Sequence, residues 1–181
     1  TGRRALFVRL PFCNYDCSWC DTEFDSFKKW SLESFREFAT SEPARFAVIT
    51  GGEPMAHKHL PVVIKELKAL GFEIACETNG SYAAPEGIDF VTVSPKAFTK
   101  KKFDPFYIEP SLFQKASEFK YVVDQDFDFS TLDKHNPIQH GVEYSLSPEY
   151  GQMEENVPKI LSYIKTNPNW KLSLQTHKWI K

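Results

Sequence analysis

With 181 residues, 41% of them hydrophobic, the chain has the size and apolar content of one globular domain, because a core of that extent offsets chain entropy. A formal charge of -2 and the lack of any dense Lys/Arg run exclude general binding to a nucleic-acid backbone; residues 99–102 are the only locally basic stretch and read as a solvated loop. No apolar run reaches membrane-span length and the first residues lack a secretion-signal pattern. Four cysteines, three of them clustered, are too few for a secreted disulfide framework, so a soluble chain in the reducing cytoplasm is expected.

Residues 5–10 (Ala-Leu-Phe-Val-Arg-Leu) form a β-prone run stopped by Pro11, which predicts a buried strand. Arg9 interrupts it, pointing either to solvent or toward an anionic ligand. The strand delivers Cys13, Cys17 and Cys20, spaced C-x3-C-x2-C, and three thiols on one short loop call for a metal. A zinc closed by His57 or His59 and a cubane iron-sulfur cluster held by three thiolates with one open iron both satisfy that spacing.

Ser31 is a fitting N-cap for a helix over 32–39, where Leu32, Phe35, Phe38 and Ala39 follow the helical period. Residues 46–50 predict a second strand running into Gly51-Gly52-Glu53-Pro54, and a strand ending in two glycines invites close approach by a ligand. Leu60, Val63, Ile64, Leu67 and Leu70 mark a helix over 59–70 with Gly71 behind it. Strands over 72–76 and 88–93 end in Glu77-Thr78-Asn79-Gly80 and Ser94-Pro95-Lys96. Further strands are expected at 118–123, 142–146 and 170–174, with an amphipathic helix over 154–165. Residues 96–114 show little periodicity.

Strands alternating with helices imply right-handed crossovers and a mostly parallel sheet, whose ligands gather at the carboxyl ends of the strands. The chain is shorter than the roughly 250 residues of a full eight-unit barrel. The fold class expected is therefore α/β, an incomplete or opened (βα) barrel in a single domain over residues 1–181.

The cysteine spacing, followed after the second strand by Gly51-Gly52-Glu53-Pro54, resembles the radical S-adenosylmethionine (SAM) superfamily. Arg9-Leu10-x2-Cys13, Cys20-Asp21-Thr22, Thr50-Gly51-Gly52-Glu53-Pro54, Glu77-Thr78-Asn79-Gly80, Ser94-Pro95-Lys96 and Gln175-Thr176-His177-Lys178 are together similar to the 7-carboxy-7-deazaguanine synthase family, over nearly the whole chain. Cys-Asp-Thr and Gln-Thr-His-Lys are the most diagnostic of these.

The resemblance implies a 4Fe-4S cluster on Cys13, Cys17 and Cys20, whose unique iron chelates SAM. It further implies SAM contacts at Trp19, Asp21, Gly52, Glu53, Ser94, Pro95 and Lys96, with Glu53 near the methionine amino group. Thr22 would bind Mg2+, and Arg9 and Thr50 the substrate. That substrate would be 6-carboxy-5,6,7,8-tetrahydropterin, converted to 7-carboxy-7-deazaguanine by hydrogen abstraction, ring contraction and loss of ammonia, in queuosine and deazapurine biosynthesis. The implied partners are a reducing protein such as a flavodoxin and a second copy in a homodimer, with no direct nucleic acid and no membrane.

The chain departs from the family pattern in lacking a Gln-Gly-Glu-Gly stretch before the first strand and a proline beyond Lys181, so terminal residues of the full-length protein are expected to be missing from these 181. Where the family often has Gln-Pro, this chain has Ser147-Pro148. The competing readings are a radical SAM activase that makes a glycyl radical on a partner protein and a non-enzymatic zinc-binding module. Cys76 reads as a small core residue, His135 and His140 as loop residues, and His57 and His59 as the start of a helix; His177 follows the last strand.

Overall fold

The computed structural model describes residues 2–20, 22–23, 27–96, 105–132 and 138–178, apart from the side chain of His177. Among them, strands β1 (Leu6–Leu10), β2 (Phe46–Gly51), β3 (Glu73–Thr78), β4 (Phe90–Val93), β5 (Glu118–Val123), β6 (Glu143–Pro148) and β7 (Trp170–Leu172) make one sheet in sequence order. Every ladder is parallel, and the order runs from β1 to β7 without closing. This is the opened βα barrel expected from the alternation of elements. No helix among the described residues is long and apolar enough to cross a membrane.

Helix α1 (Leu32–Ser41) links β1 to β2 and begins where Ser31 Oγ accepts the Ser34 N–H at 3.1 Å. Helices α2 (Leu60–Ala69), α3 (Leu112–Lys115) and α4 (Met153–Thr166) precede β3, β5 and β7. Alternate strand residues face these helices. Leu6, Ala47, Ile49, Ile74 and Cys76 pack with Leu60, Ile64 and Leu67 of α2, while Phe119, Tyr121, Val123, Tyr144 and Leu146 pack with Ile160 and Trp170. A fully buried Leu, Ile or Val stabilises by about 1.5–3 kcal/mol, so these two clusters fix which face of each strand looks outward to the helices. Cys76 is a core residue, as expected.

Two strands run beyond their apolar stretches. β3 extends through Glu77 and Thr78 because these residues pair in register with Thr92 and Val93 of β4. β6 similarly continues to Pro148, opposite Val123. A neighbour's ladder, not a strand's own hydrophobicity, sets where it ends. Conversely, the strand expected over 88–93 begins only at Phe90, and the one over 170–174 stops at Leu172. The one-turn α3 stands in a stretch without helical periodicity. Residues 99–102 and His135 lie outside the described residues.

Candidate active site

The pairing of β1 with β2 continues past the strands into the two motif loops. Gly52 N–H donates to the Leu10 carbonyl at 3.0 Å and Glu53 N–H to the Phe12 carbonyl at 2.9 Å. Gly51 has φ of +136°, and a Cβ there would lie 2.0 Å from the Leu10 oxygen. A Cβ on Gly52 would lie 1.8 Å from the Phe12 oxygen. In the structure, therefore, the chain that the double glycine admits is the backbone of the cysteine loop.

Cys13 and Cys17 are half-buried on this loop and Cys20 is exposed, with Cys20 N–H donating to the Cys17 carbonyl at 3.1 Å. The Cys13 sulfur accepts the Tyr15 N–H at 3.4 Å and faces Asn79 Nδ2 at 3.8 Å. Burial pushes both half-buried thiols up; the Tyr15 amide opposes this at Cys13, and the Lys96 cation opposes it at Cys17. Metal coordination would offset the thiolate charge that burial disfavours. Among the described residues no three His, Cys, Asp or Glu side chains converge on a single ion. Thiolates that each meet a different iron of a cubane need no such convergence, and half-buried sulfurs receiving N–H donors suit that role, so the residues fit a 4Fe-4S cluster.

Glu53 lies behind the loop and is 1% exposed. Its carboxylate accepts from Met55 N–H at 2.9 Å, Thr78 Oγ1–H at 2.7 Å and Asn79 N–H at 2.6 Å. Burial raises its pKa, and these donors oppose the rise. The side chain thus bolts the end of β2 to the end of β3. On the next rim loop Lys96 Nζ donates to Ser94 Oγ at 2.8 Å and stands 5.3 Å from the Trp19 ring centre, bringing three expected SAM residues together. Burial lowers the Lys96 pKa, and the charge of Cys17 opposes this. Pro95, between Ser94 and Lys96, is buried.

The face of the sheet turned away from the helices is polar. Arg9 lies opposite Thr50 in the β1–β2 register, so it projects from this face, and its Nη1 approaches Thr22 Oγ1 at 3.4 Å. Arg9 thus shares a face with Thr50 and is itself exposed. Thr50 Oγ1 donates to Glu77 Oε2 at 3.1 Å, and Lys120 Nζ stands 3.2 Å from Glu77 Oε1. That ion pair spans from β3 over β4 to β5, joining side chains on one face of the sheet. Thr92, between them, donates to Glu118 at 2.9 Å. Burial raises the Glu77 pKa, yet Lys120, the Thr50 hydroxyl and Lys96 together hold it below the usual carboxylate range. Its side chain is still 44% exposed and thus available to a ligand.

Glu77 entered the sequence reading only as part of the Glu77-Thr78-Asn79-Gly80 stretch, with no role of its own, and Lys120 was not singled out. A Lys alternating with the buried Phe119 and Tyr121 was the available signal, since charge on the second face of an otherwise core strand marks a polar interior. Asp21 lies outside the described residues, as does the side chain of His177, which sits in a turn over Thr176–Lys178. His140 falls between strands, in a loop. His57 and His59 pair at 5.7 Å at the start of α2. His57 lines a cavity of about 340 Å3 with Met55, Leu60, Ala84 and Pro85, and no cysteine borders it.

An opened parallel barrel carrying three cysteines on the loop after its first strand defines a radical SAM protein, and residues 7–108 match the model of the Radical SAM superfamily. The 7-carboxy-7-deazaguanine synthase of Haemophilus influenzae is 33% identical over 190 residues, covering 99% of this chain and 85% of the relative. That of Neisseria meningitidis serogroup B is 36% identical over 186 residues, with coverage of 99% and 85%. The crystal structure of QueE from Escherichia coli matches with a TM-score of 0.77 at 26% identity, over 97% of this chain and 86% of that one. The chain therefore belongs to the 7-carboxy-7-deazaguanine synthase family of radical SAM enzymes, which sets aside both the zinc-module and the activase readings.

Proposed function

We propose that the chain converts 6-carboxy-5,6,7,8-tetrahydropterin to 7-carboxy-7-deazaguanine, with loss of ammonia, in queuosine and deazapurine biosynthesis. The observation that carries the reading is that the cysteine loop and the polar row Arg9, Thr50, Glu77 and Lys120 share one rim of one curved sheet. A charged, hydrogen-bonding heterocycle needs such a wall beside its redox group.

When bound on Cys13, Cys17 and Cys20, the 4Fe-4S cluster with SAM supplies the one-electron chemistry that begins hydrogen abstraction. The chain's own residues bind and orient. The Arg9 guanidinium matches a substrate carboxylate, and Thr50 offers a hydroxyl beside it. Glu77, ionised below the usual range, accepts from ring N–H groups, while Lys120 fixes its orientation. Thr22, within reach of Arg9, supplies an oxygen ligand for Mg2+. Trp19, Gly52, Ser94, Pro95 and Lys96 hold SAM. Glu53, its oxygens taken by three donors, serves SAM binding by keeping the ends of β2 and β3 in place.

The same reading supplies a flavodoxin-like reducing partner, a homodimer and the cytoplasm as compartment. Exposed Phe12 and Phe27 beside the cysteine loop, with Lys28 over the exposed Trp30, support docking of an acidic electron donor there. The test is anaerobic incubation of reconstituted protein with reductant, SAM, Mg2+ and the carboxytetrahydropterin. A deazapurine product by mass spectrometry is expected, and no product from cluster-loaded, full-length protein overturns the assignment.

A further inference from the structure

We propose that Asn79 sets the reduction potential of the cluster by donating its side-chain amide to the Cys13 sulfur. The inference rests on the reading that Cys13, Cys17 and Cys20 hold the cluster.

Asn79 follows β3 and is 5% exposed. Its backbone N–H is held by Glu53 Oε2 at 2.6 Å, so its position is fixed by the same carboxylate that braces the Gly51-Gly52 motif. Its Oδ1 accepts from Ser81 N–H at 3.0 Å and from Ser81 Oγ–H at 2.5 Å. Two donors on one oxygen settle which way the amide faces, and the NH2 group must lie on the opposite side. There, one N–H goes to Asn14 Oδ1 at 2.9 Å and the other faces the Cys13 sulfur at 3.8 Å.

The partners close a ring. Asn79 donates to Asn14, Asn14 Nδ2 donates to Ser81 Oγ at 3.0 Å, and Ser81 donates back to Asn79. All three bonds run in one sense, which strengthens each and stiffens the amide against rotation. Asn14 adjoins Cys13 in the chain, so the ring also clamps the loop carrying the ligand. Together with Tyr15 N–H, Asn79 gives the Cys13 sulfur a second nitrogen donor.

Reduction adds negative charge to a cluster and spreads it onto the ligating sulfurs. A hydrogen bond to such a sulfur stabilises the reduced form more than the oxidised one and raises the potential. Asn79 is therefore a positioning residue that makes the cluster easier to reduce by a biological donor, and it acts through the ligand without touching substrate.

The test is a redox titration of reconstituted protein followed by electron paramagnetic resonance, comparing wild type with Asn79→Ala. The variant should keep about four irons per chain. At a fixed potential its reduced-to-oxidised ratio should fall about tenfold, the size expected of one hydrogen bond to a charged acceptor and equal to 59 mV for one electron. Full iron content with an unchanged potential overturns the proposal and leaves Asn79 a spacer. If the variant loads no cluster, wild-type protein labelled with 15N at the asparagine side-chain amide decides. A nitrogen coupling to the reduced cluster supports the proposal, and its absence overturns it. Failure of wild type to take up a four-iron cluster is a separate result that removes the site reading itself.

Discussion

Gly52 is packed against Phe12 so closely that the carbonyl oxygen of Phe12 fills the space a side chain at Gly52 would need. Gly52→Ala must push the cysteine loop away or break the hydrogen bond from Glu53 N–H to Phe12. Overpacking of this kind costs about 1–3 kcal/mol, and backbone gives way less readily than a side chain. The variant should retain several-fold less iron after reconstitution and melt at a lower temperature even without metal. Iron analysis and thermal unfolding of both proteins check this; equal iron content would show that the loop has another route to its position.

The Glu77–Lys120 pair lies on the polar face with Glu77 partly open to solvent. Glu77→Gln keeps the shape and removes the charge, and Lys120→Met removes the cation that orients it. Each should reduce product formation by about tenfold or more, a loss of roughly 1.4 kcal/mol of transition-state stabilisation, while leaving iron content and melting temperature near wild type. Steady-state assays beside cluster absorbance test the pair, and undiminished turnover would move the substrate to a different wall.

Thr22 stands within 3.4 Å of Arg9, at the junction of the cysteine loop and the polar face. Thr22→Ala should blunt the response of activity to added Mg2+ without changing cluster absorbance. An unaltered Mg2+ titration would take Thr22 out of the metal site.

Asp89 offers a pH-dependent test of the fold away from the chemistry. Its Oδ2 accepts from Ile74 N–H at 2.7 Å and from Lys68, tying the approach to β4 onto β3 and the end of α2. The Lys68 hydrogen bond, aided by the Ile74 amide, holds its pKa below the usual value. With the folded pKa depressed, the stabilisation is complete above the unfolded value near 3.9 and is lost as pH falls through the folded one. Asp89→Asn should cost about 1 kcal/mol at pH 7, the size of one hydrogen bond plus a screened surface pair. The difference should begin to shrink as the pH drops below about 4 and continue to shrink toward the folded pKa. Urea denaturation at several pH values measures it, and a difference that does not shrink on acidification would point to a cause other than the carboxylate charge.

Much of this architecture was legible because it rests on local pattern. Strand β5 was delimited by its alternation of Phe119, Tyr121 and Val123 with polar neighbours, and the helix before β3 by the spacing of Leu60, Ile64 and Leu67. The cysteine spacing placed the metal end without any tertiary information. What stayed hidden depends on partners distant in the chain. Lys120 meets Glu77 across the intervening β4, and no local pattern encodes a pairing between strands that are not neighbours. Glu53, whose carboxylate sequence reasoning directed toward a bound cation, spends its oxygens on Met55, Thr78 and Asn79, an outcome set by the depth at which β2 and β3 end together. The ring of Asn14, Asn79 and Ser81 joins two loops more than sixty positions apart, and Asn is too common in turns for its type to have marked it.

The strict sequence order of the seven parallel strands also bears on how the protein is made. Each strand pairs with the one just before it, so a chain leaving the ribosome can lay down its sheet from the N-terminal side without waiting for its tail. The cysteine loop gains its glycine and asparagine supports once β3 has docked, before β5 brings Lys120 to the opposite wall. Readiness to capture iron and readiness to hold substrate therefore belong to different lengths of the nascent chain.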